Sequence, residues 1–168
     1  MKKIIDEINK AKSQNLDSLY LSGLGISDLP IEIRELKNLT YLNLEDNRLS
    51  DLPNWIGELE NIESLKIDNN NISIIPDELG NLKKLSFFHF RNNNLSRLPN
   101  TMKDTLVRII QKQQRIENVD GAGIKYIGVD GNRFRLSDMD TFNLDIKKLI
   151  SILIPDANVE DIVEFLTE

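Results

Sequence analysis

The fold class that the sequence predicts is α/β: a right-handed solenoid whose short strands form a parallel, concave sheet. Three observations predict it. Apolar triads of one form recur every 23 residues, a proline stands at one fixed place in each unit, and an asparagine holds another in three of the four units. One unit cannot bury its apolar face, because its strand is only a few residues long. Stacking successive units makes one continuous core.

Residues 1–15 are predicted to form an N-terminal helical cap. Ile4, Ile5, Ile8 and Ala11 fall on one face of a helix that carries Asp6, Glu7, Lys10 and Lys12 elsewhere, the pattern of a segment with one buried stripe. An open stack ends in exposed leucines, so a cap with a polar outer face is required.

Residues 16–107 hold the four units. Their opening triads are Leu16, Leu19 and Leu21; Leu39, Leu42 and Leu44; Ile62, Leu65 and Ile67; and Leu85, Phe88 and Phe90. Positions four and six alternate with polar neighbours, the period-two mark of a strand with one buried face. Position nine is Leu24, Asn47, Asn70 and Asn93. The three asparagines read as a ladder whose amides bond the backbone of the turn leaving each strand, and Leu24 marks a degenerate first coil. Position eleven is Ile26, Leu49, Ile72 and Leu95, and position fourteen is Leu29, Leu52, Ile75 and Leu98, followed directly by Pro30, Pro53, Pro76 and Pro99. Proline there fixes φ where the chain turns into its convex return, and its missing N–H is no loss at a helix start.

This pattern, L-x-x-L-x-L-x-x-N-x-L-x-x-L-P, resembles the leucine-rich repeats, in particular the Pro-containing, 23-residue type frequent in bacteria. The resemblance covers residues 16 to about 107. The run Leu19-Tyr20-Leu21-Ser22-Gly23-Leu24-Gly25-Ile26 is also similar to the first repeat of bacterial Roco proteins. Roco proteins carry a GTPase after their repeats, and related secreted effectors carry a Cys-dependent ubiquitin ligase domain. This chain has neither a phosphate-loop motif nor any cysteine, so the resemblance implies a recognition role without that chemistry.

Residues 108–168 are predicted to be a C-terminal cap or a small appended α+β segment. Met102, Leu106, Ile109, Ile110 and Ile116 recur at helical spacing, predicting an amphipathic helix over 101–117. Asp120 to Gly123 reads as a loop. Residues 124–129 and 133–136, joined at Asp130-Gly131, read as a hairpin. Leu144, Leu149, Ile150 and Leu153 pattern a further segment, and Val159, Ile162, Phe165 and Leu166 a last helix after Pro155. From Ser137 onward eight acidic and two basic residues give −6, the charge of the whole chain, whose 21 Lys+Arg and 27 Asp+Glu also differ by six. The alternative to a cap is a small effector or regulatory domain that the repeats only target.

Composition narrows the chemistry. With 40% hydrophobic residues the chain can bury a core without staples. The absence of cysteine excludes disulfides, thiolate metal sites and Cys nucleophiles. His89 is the only histidine, which argues against a multi-His metal site or a Ser-His-Asp triad. Asp138-x-Asp140 and Asp130-x-Asn132 do not fit the twelve-residue calcium loop, and no glycine-rich phosphate loop follows a strand into a helix. The expectation is a protein with no enzymatic activity, no cofactor and no bound metal. A net charge of −6 disfavours nucleic acid. No run of 18 apolar residues occurs and acidic residues interrupt the start, so no membrane association is expected and a cytoplasmic location is. Asn38-Leu39-Thr40, Asn71-Ile72-Ser73 and Asn94-Leu95-Ser96 match glycosylation acceptors, but such triplets arise freely in Asn-rich repeats.

The candidate binding residues follow from strand alternation. With positions four and six buried, positions three, five, seven and eight project from the concave sheet or its edge. Position three holds Ser18, Tyr41, Ser64 and Phe87; five holds Tyr20, Asn43, Lys66 and His89; seven holds Ser22, Glu45, Asp68 and Arg91. Aromatics interleaved with charges anchor interfaces. Tyr20, Tyr41, Asn43, Glu45, Lys66, Asp68, Phe87, His89 and Arg91 are therefore the expected partner-binding residues, with Phe87, His89, Tyr41, Lys66 and Arg91 at the centre. Another protein is the expected ligand, and self-association is a further mode. The competing explanation for the aromatics is cross-strand packing or cover by the C-terminal segment.

Overall fold

The computed structural model describes residues 2–109. Nine elements follow one another: α1 (Lys2–Ser13), β1 (Ser18–Tyr20), a 3₁₀ turn (Ile31–Glu35), β2 (Tyr41–Asn43), a second 3₁₀ turn (Asn54–Glu58), β3 (Ser64–Lys66), a third (Asp77–Asn81), β4 (Phe87–His89) and a fourth (Asn100–Met102). Residues 103–109 are helical. The four strands make one sheet in the order β1-β2-β3-β4, every pair parallel. Each strand is offset from the next by the 23-residue period, Leu19 pairing with Leu42, Leu42 with Leu65, and Leu65 with Phe88.

Three residues per strand suffice because the pairing continues beyond the strand. Leu21 N–H donates to Asn43 O at 2.8 Å, Leu44 N–H to Lys66 O at 2.8 Å, and Ile67 N–H to His89 O at 2.8 Å. Past these the chain turns sharply. Position eight takes the left-handed conformation in all four units, at Gly23, Asp46, Asn69 and Asn92, with φ between 51° and 68°. These residue types tolerate that region at least cost, so the position is a turn residue as much as a surface one.

The asparagine ladder locks the turn. Asn70 Oδ1 accepts the Leu49 N–H of the preceding coil at 3.0 Å, while its Nδ2 donates to Leu44 O, Ile67 O and Asp68 O. Asn93 repeats the arrangement one coil later, accepting from Ile72 N–H and donating to Ile67 O, Phe90 O and Arg91 O. Asn47 accepts the Ile26 N–H in the same way and the Leu24 N–H besides, an added bond at the position where the first coil has leucine in place of asparagine. Each buried amide thus ties two coils together and satisfies backbone groups that the turn strips from the sheet.

The prolines begin the return segments. Pro30, Pro53, Pro76 and Pro99 have φ between −60° and −70°, and each precedes a 3₁₀ turn, where a fixed φ near −65° is already suitable. The turns stack closely. A Cβ on Gly57 would lie 2.2 Å from Glu78 O, and one on Gly80 2.3 Å from Thr101 O, so these glycines set how near successive coils approach.

The core is the column between sheet and returns. Leu42, Leu65 and Phe88 from the strands, with Leu21, Leu44, Ile67 and Phe90 just after them, meet Ile33, Ile56, Leu79 and Met102 from the turns, all buried. At the N-terminal end Ile4, Ile8 and Ala11 of α1 are buried and Ile5 packs partly against the same cluster. At the other end Leu106, Val107 and Ile109 join it. The remainder of the helix expected over 101–117, together with the loop, the hairpin, the further apolar segment and the last helix, lies outside the described residues. Among the described residues no helix is long and apolar enough to cross a membrane.

Candidate functional site

Parallel pairing in register arranges the concave side chains in rows. One row runs Ser18, Tyr41, Ser64, Phe87 and the next Tyr20, Asn43, Lys66, His89. Glu45, Asp68 and Arg91 follow two residues further along their coils. Eight of the nine expected residues keep exposed or half-buried side chains.

Asn43 is the exception and a correction. It is 8% exposed, because its side chain folds onto its own loop: Oδ1 accepts the Glu45 N–H at 2.9 Å and Nδ2 donates to Glu45 Oε2 at 2.9 Å. Short Asn side chains favour this local bond two residues on. Asn43 therefore orients Glu45 instead of offering itself to a partner.

The aromatics form two groups. Tyr20 and Tyr41 stack across β1 and β2 with centroids 5.1 Å apart at 38°, so part of the aromatic signal is cross-strand packing. Yet Tyr20 remains 62% exposed, far more than packing requires. Phe87 is half-buried and lies two strands from Tyr41, with Ser64 between them in the row, a separation of about 10 Å. Phe88 and Phe90 are in the core as expected, their rings 4.8 Å apart.

Further along the same coils the charged residues converge diagonally. Glu45, Asp68 and His89, from three successive coils, bring their carboxylate oxygens and imidazole nitrogens within 4.8 Å of one another. Asp68 Oδ1 accepts the Arg91 N–H at 2.6 Å, and Lys66 Nζ stands 4.0 Å from Glu45 Oε1. Burial pushes the Asp68 carboxyl above its ordinary value, with the Arg91 N–H opposing. Burial likewise holds the His89 imidazole below its ordinary value, against the pull of Asp68. At neutral pH His89 is therefore mostly the free imidazole. Spacing alone did not reveal this convergence, since the three residues occupy positions seven, seven and five of different units. Only the parallel register brings them together.

A family profile described as a leucine-rich repeat region matches residues 2–151. No curated protein sequence matches the chain. Among solved structures, a leucine-rich repeat protein of Leptospira interrogans is 24% identical over 60% of this chain and 37% of its own, with a TM-score of 0.40. The BIR2 ectodomain of Arabidopsis thaliana is 24% identical over 69% of this chain and 52% of its own, at 0.45. The plant peptide hormone receptor RGFR1, in complex with RGF2, is 30% identical over 58% of this chain and 16% of its own, at 0.47. The chain thus spans about half or less of the length of each.

Proposed function

The chain belongs to the leucine-rich repeat family, and from that premise we propose that it is a non-enzymatic recognition module that binds another protein on its concave sheet. The observation carrying this reading is the Tyr20 and Tyr41 pair. A stacked aromatic ledge, with one ring 62% exposed, stands on a sheet whose backbone is fixed by the coil-to-coil ladder. Rigid aromatics lose little entropy on contact and exclude water well. Lys66, Asp68, Glu45, His89 and Arg91 beside them supply the charged rim that selects a partner and steers its approach. The fixed prolines and 23-residue period support assigning the repeats to the Pro-containing bacterial type.

The test is affinity capture from host lysate with wild type, a Tyr20→Ala/Tyr41→Ala variant and a Tyr41→Ala/Phe87→Ala variant, followed by titration of each purified retained protein. Hot-spot aromatics contribute about 2 kcal/mol or more each when truncated. Loss of at least tenfold in affinity, with unchanged far-UV dichroism, is the expected outcome. A partner bound equally by all three proteins overturns the concave assignment.

A further inference from the structure

The diagonal of Glu45, Asp68 and His89 has the composition of a metal centre, and we propose that it binds one divalent transition ion of the Zn²⁺ class, with solvent completing the coordination. Two carboxylates and one imidazole arise from three adjacent coils, with their ligand atoms within 4.8 Å of one another. A tetrahedral ion with bonds of about 2.1 Å holds its ligands about 3.4 Å apart, so rotations of the side chains by an ångström or so close the site. The imidazole selects against Mg²⁺ and Ca²⁺, which take oxygen ligands, and in favour of the borderline ions.

Two of the ligands are already oriented by outer hydrogen bonds. Asn43 Nδ2 donates to Glu45 Oε2 at 2.9 Å, and the Arg91 N–H donates to Asp68 Oδ1 at 2.6 Å. Such bonds fix ligand direction and raise affinity. The buried amide of Asn43, which presents nothing to a partner, acquires a purpose as the support of a ligand. Two cations stand against these carboxylates: Lys66, whose Nζ is 4.0 Å from Glu45 Oε1 with both side chains partly exposed, and Arg91, whose charge acts on Asp68. The Lys66–Glu45 pair, at the outer limit of ion-pair distance, is worth little, so a divalent ion displaces it readily. Such a centre departs from the sequence expectation of no bound metal, which rested on the single histidine, because one imidazole suffices when two carboxylates stand beside it.

The test titrates Co²⁺, then Zn²⁺ in competition, into the full chain in a non-chelating buffer, recording visible absorption and heat. Wild type is expected to bind one ion per chain, with a visible ligand-field band that Zn²⁺ abolishes. His89→Ala and Glu45→Gln/Asp68→Asn are expected to weaken binding at least tenfold while keeping the far-UV dichroism of wild type. Lys66→Met, which removes the cation beside Glu45, is expected to tighten it. Absence of saturable binding below about 1 mM, or equal affinity in wild type and His89→Ala, overturns the proposal. The outcome is distinguishable from that of the recognition reading, although Glu45, Asp68 and His89 serve both, because partner capture repeated in chelator-treated buffer tests recognition without the ion.

Discussion

Replacing Asn70 with alanine isolates what holds the turns of the solenoid. The side chain makes four hydrogen bonds, one as acceptor and three as donor, but they are not equivalent. Leu44 O also accepts from Asn47 Nδ2, Ile67 O from Asn93 Nδ2, and Asp68 O from the Asp46 N–H. These three carbonyls keep a partner when Asn70 is truncated. The Leu49 N–H, on a residue with no exposed surface, donates to Asn70 Oδ1 and is left orphaned. An orphaned buried N–H costs about 1–3 kcal/mol, and three weakened acceptors with a small void add to it, so the expected loss is about 2–4 kcal/mol. Asn47→Ala removes the acceptor of two N–H groups, the buried one of Ile26 and the partly buried one of Leu24, and is expected to cost more than Asn70→Ala. Urea unfolding followed by the single tryptophan, Trp55, measures both. A lower midpoint at unchanged slope is the expected form. A loss below about 1 kcal/mol for Asn70→Ala, or Asn47→Ala no worse than Asn70→Ala, refutes the reasoning that acceptor redundancy decides the cost.

Further outcomes follow from the same contacts. Gly80→Ala places a Cβ 2.3 Å from Thr101 O and is expected to cost about 3 kcal/mol by forcing the coils apart, whereas Gly23→Ala, with open space but φ of +68°, costs about 1 kcal/mol; urea midpoints of the two rank them. Ile8→Ala, at 1% exposure in the capping helix, is expected to lose about 2–4 kcal/mol in the same measurement, and a neutral result denies α1 its role as cap. Glu58 is held below the usual carboxylate range by its bond from Arg34. Its contribution is therefore complete above that range and fades as pH falls through the lowered value. Melting temperatures of wild type and Glu58→Gln are expected to converge in acid and to differ slightly, in favour of wild type, at neutral pH.

The repeat architecture was legible because every structural demand falls at a fixed place in the period. Every triad residue but Leu16, which is 37% exposed at the start of the first coil, lies in the core, Asn47, Asn70 and Asn93 bond the turns, and each proline opens a 3₁₀ return. The left-handed turn was written at position eight as Gly23, Asp46, Asn69 and Asn92, a series chosen for backbone conformation, though alternation alone casts these residues as surface. Asn43 misleads because strand alternation sets the direction of Cβ and says nothing of a side chain that bends back onto its own loop. The clustering of Glu45, Asp68 and His89 was illegible for a different reason: it depends on a diagonal through three coils, and no linear spacing encodes a diagonal until the register is known.

The most direct measurement of the central claim places the photoreactive residue p-benzoylphenylalanine at Tyr41 on the concave sheet and, in a separate protein, at Glu32 on the convex return, then irradiates each in host lysate. The account predicts a discrete cross-linked partner from the Tyr41 position and none from Glu32. The same adduct from both positions, or from Glu32 alone, contradicts recognition by the concave face.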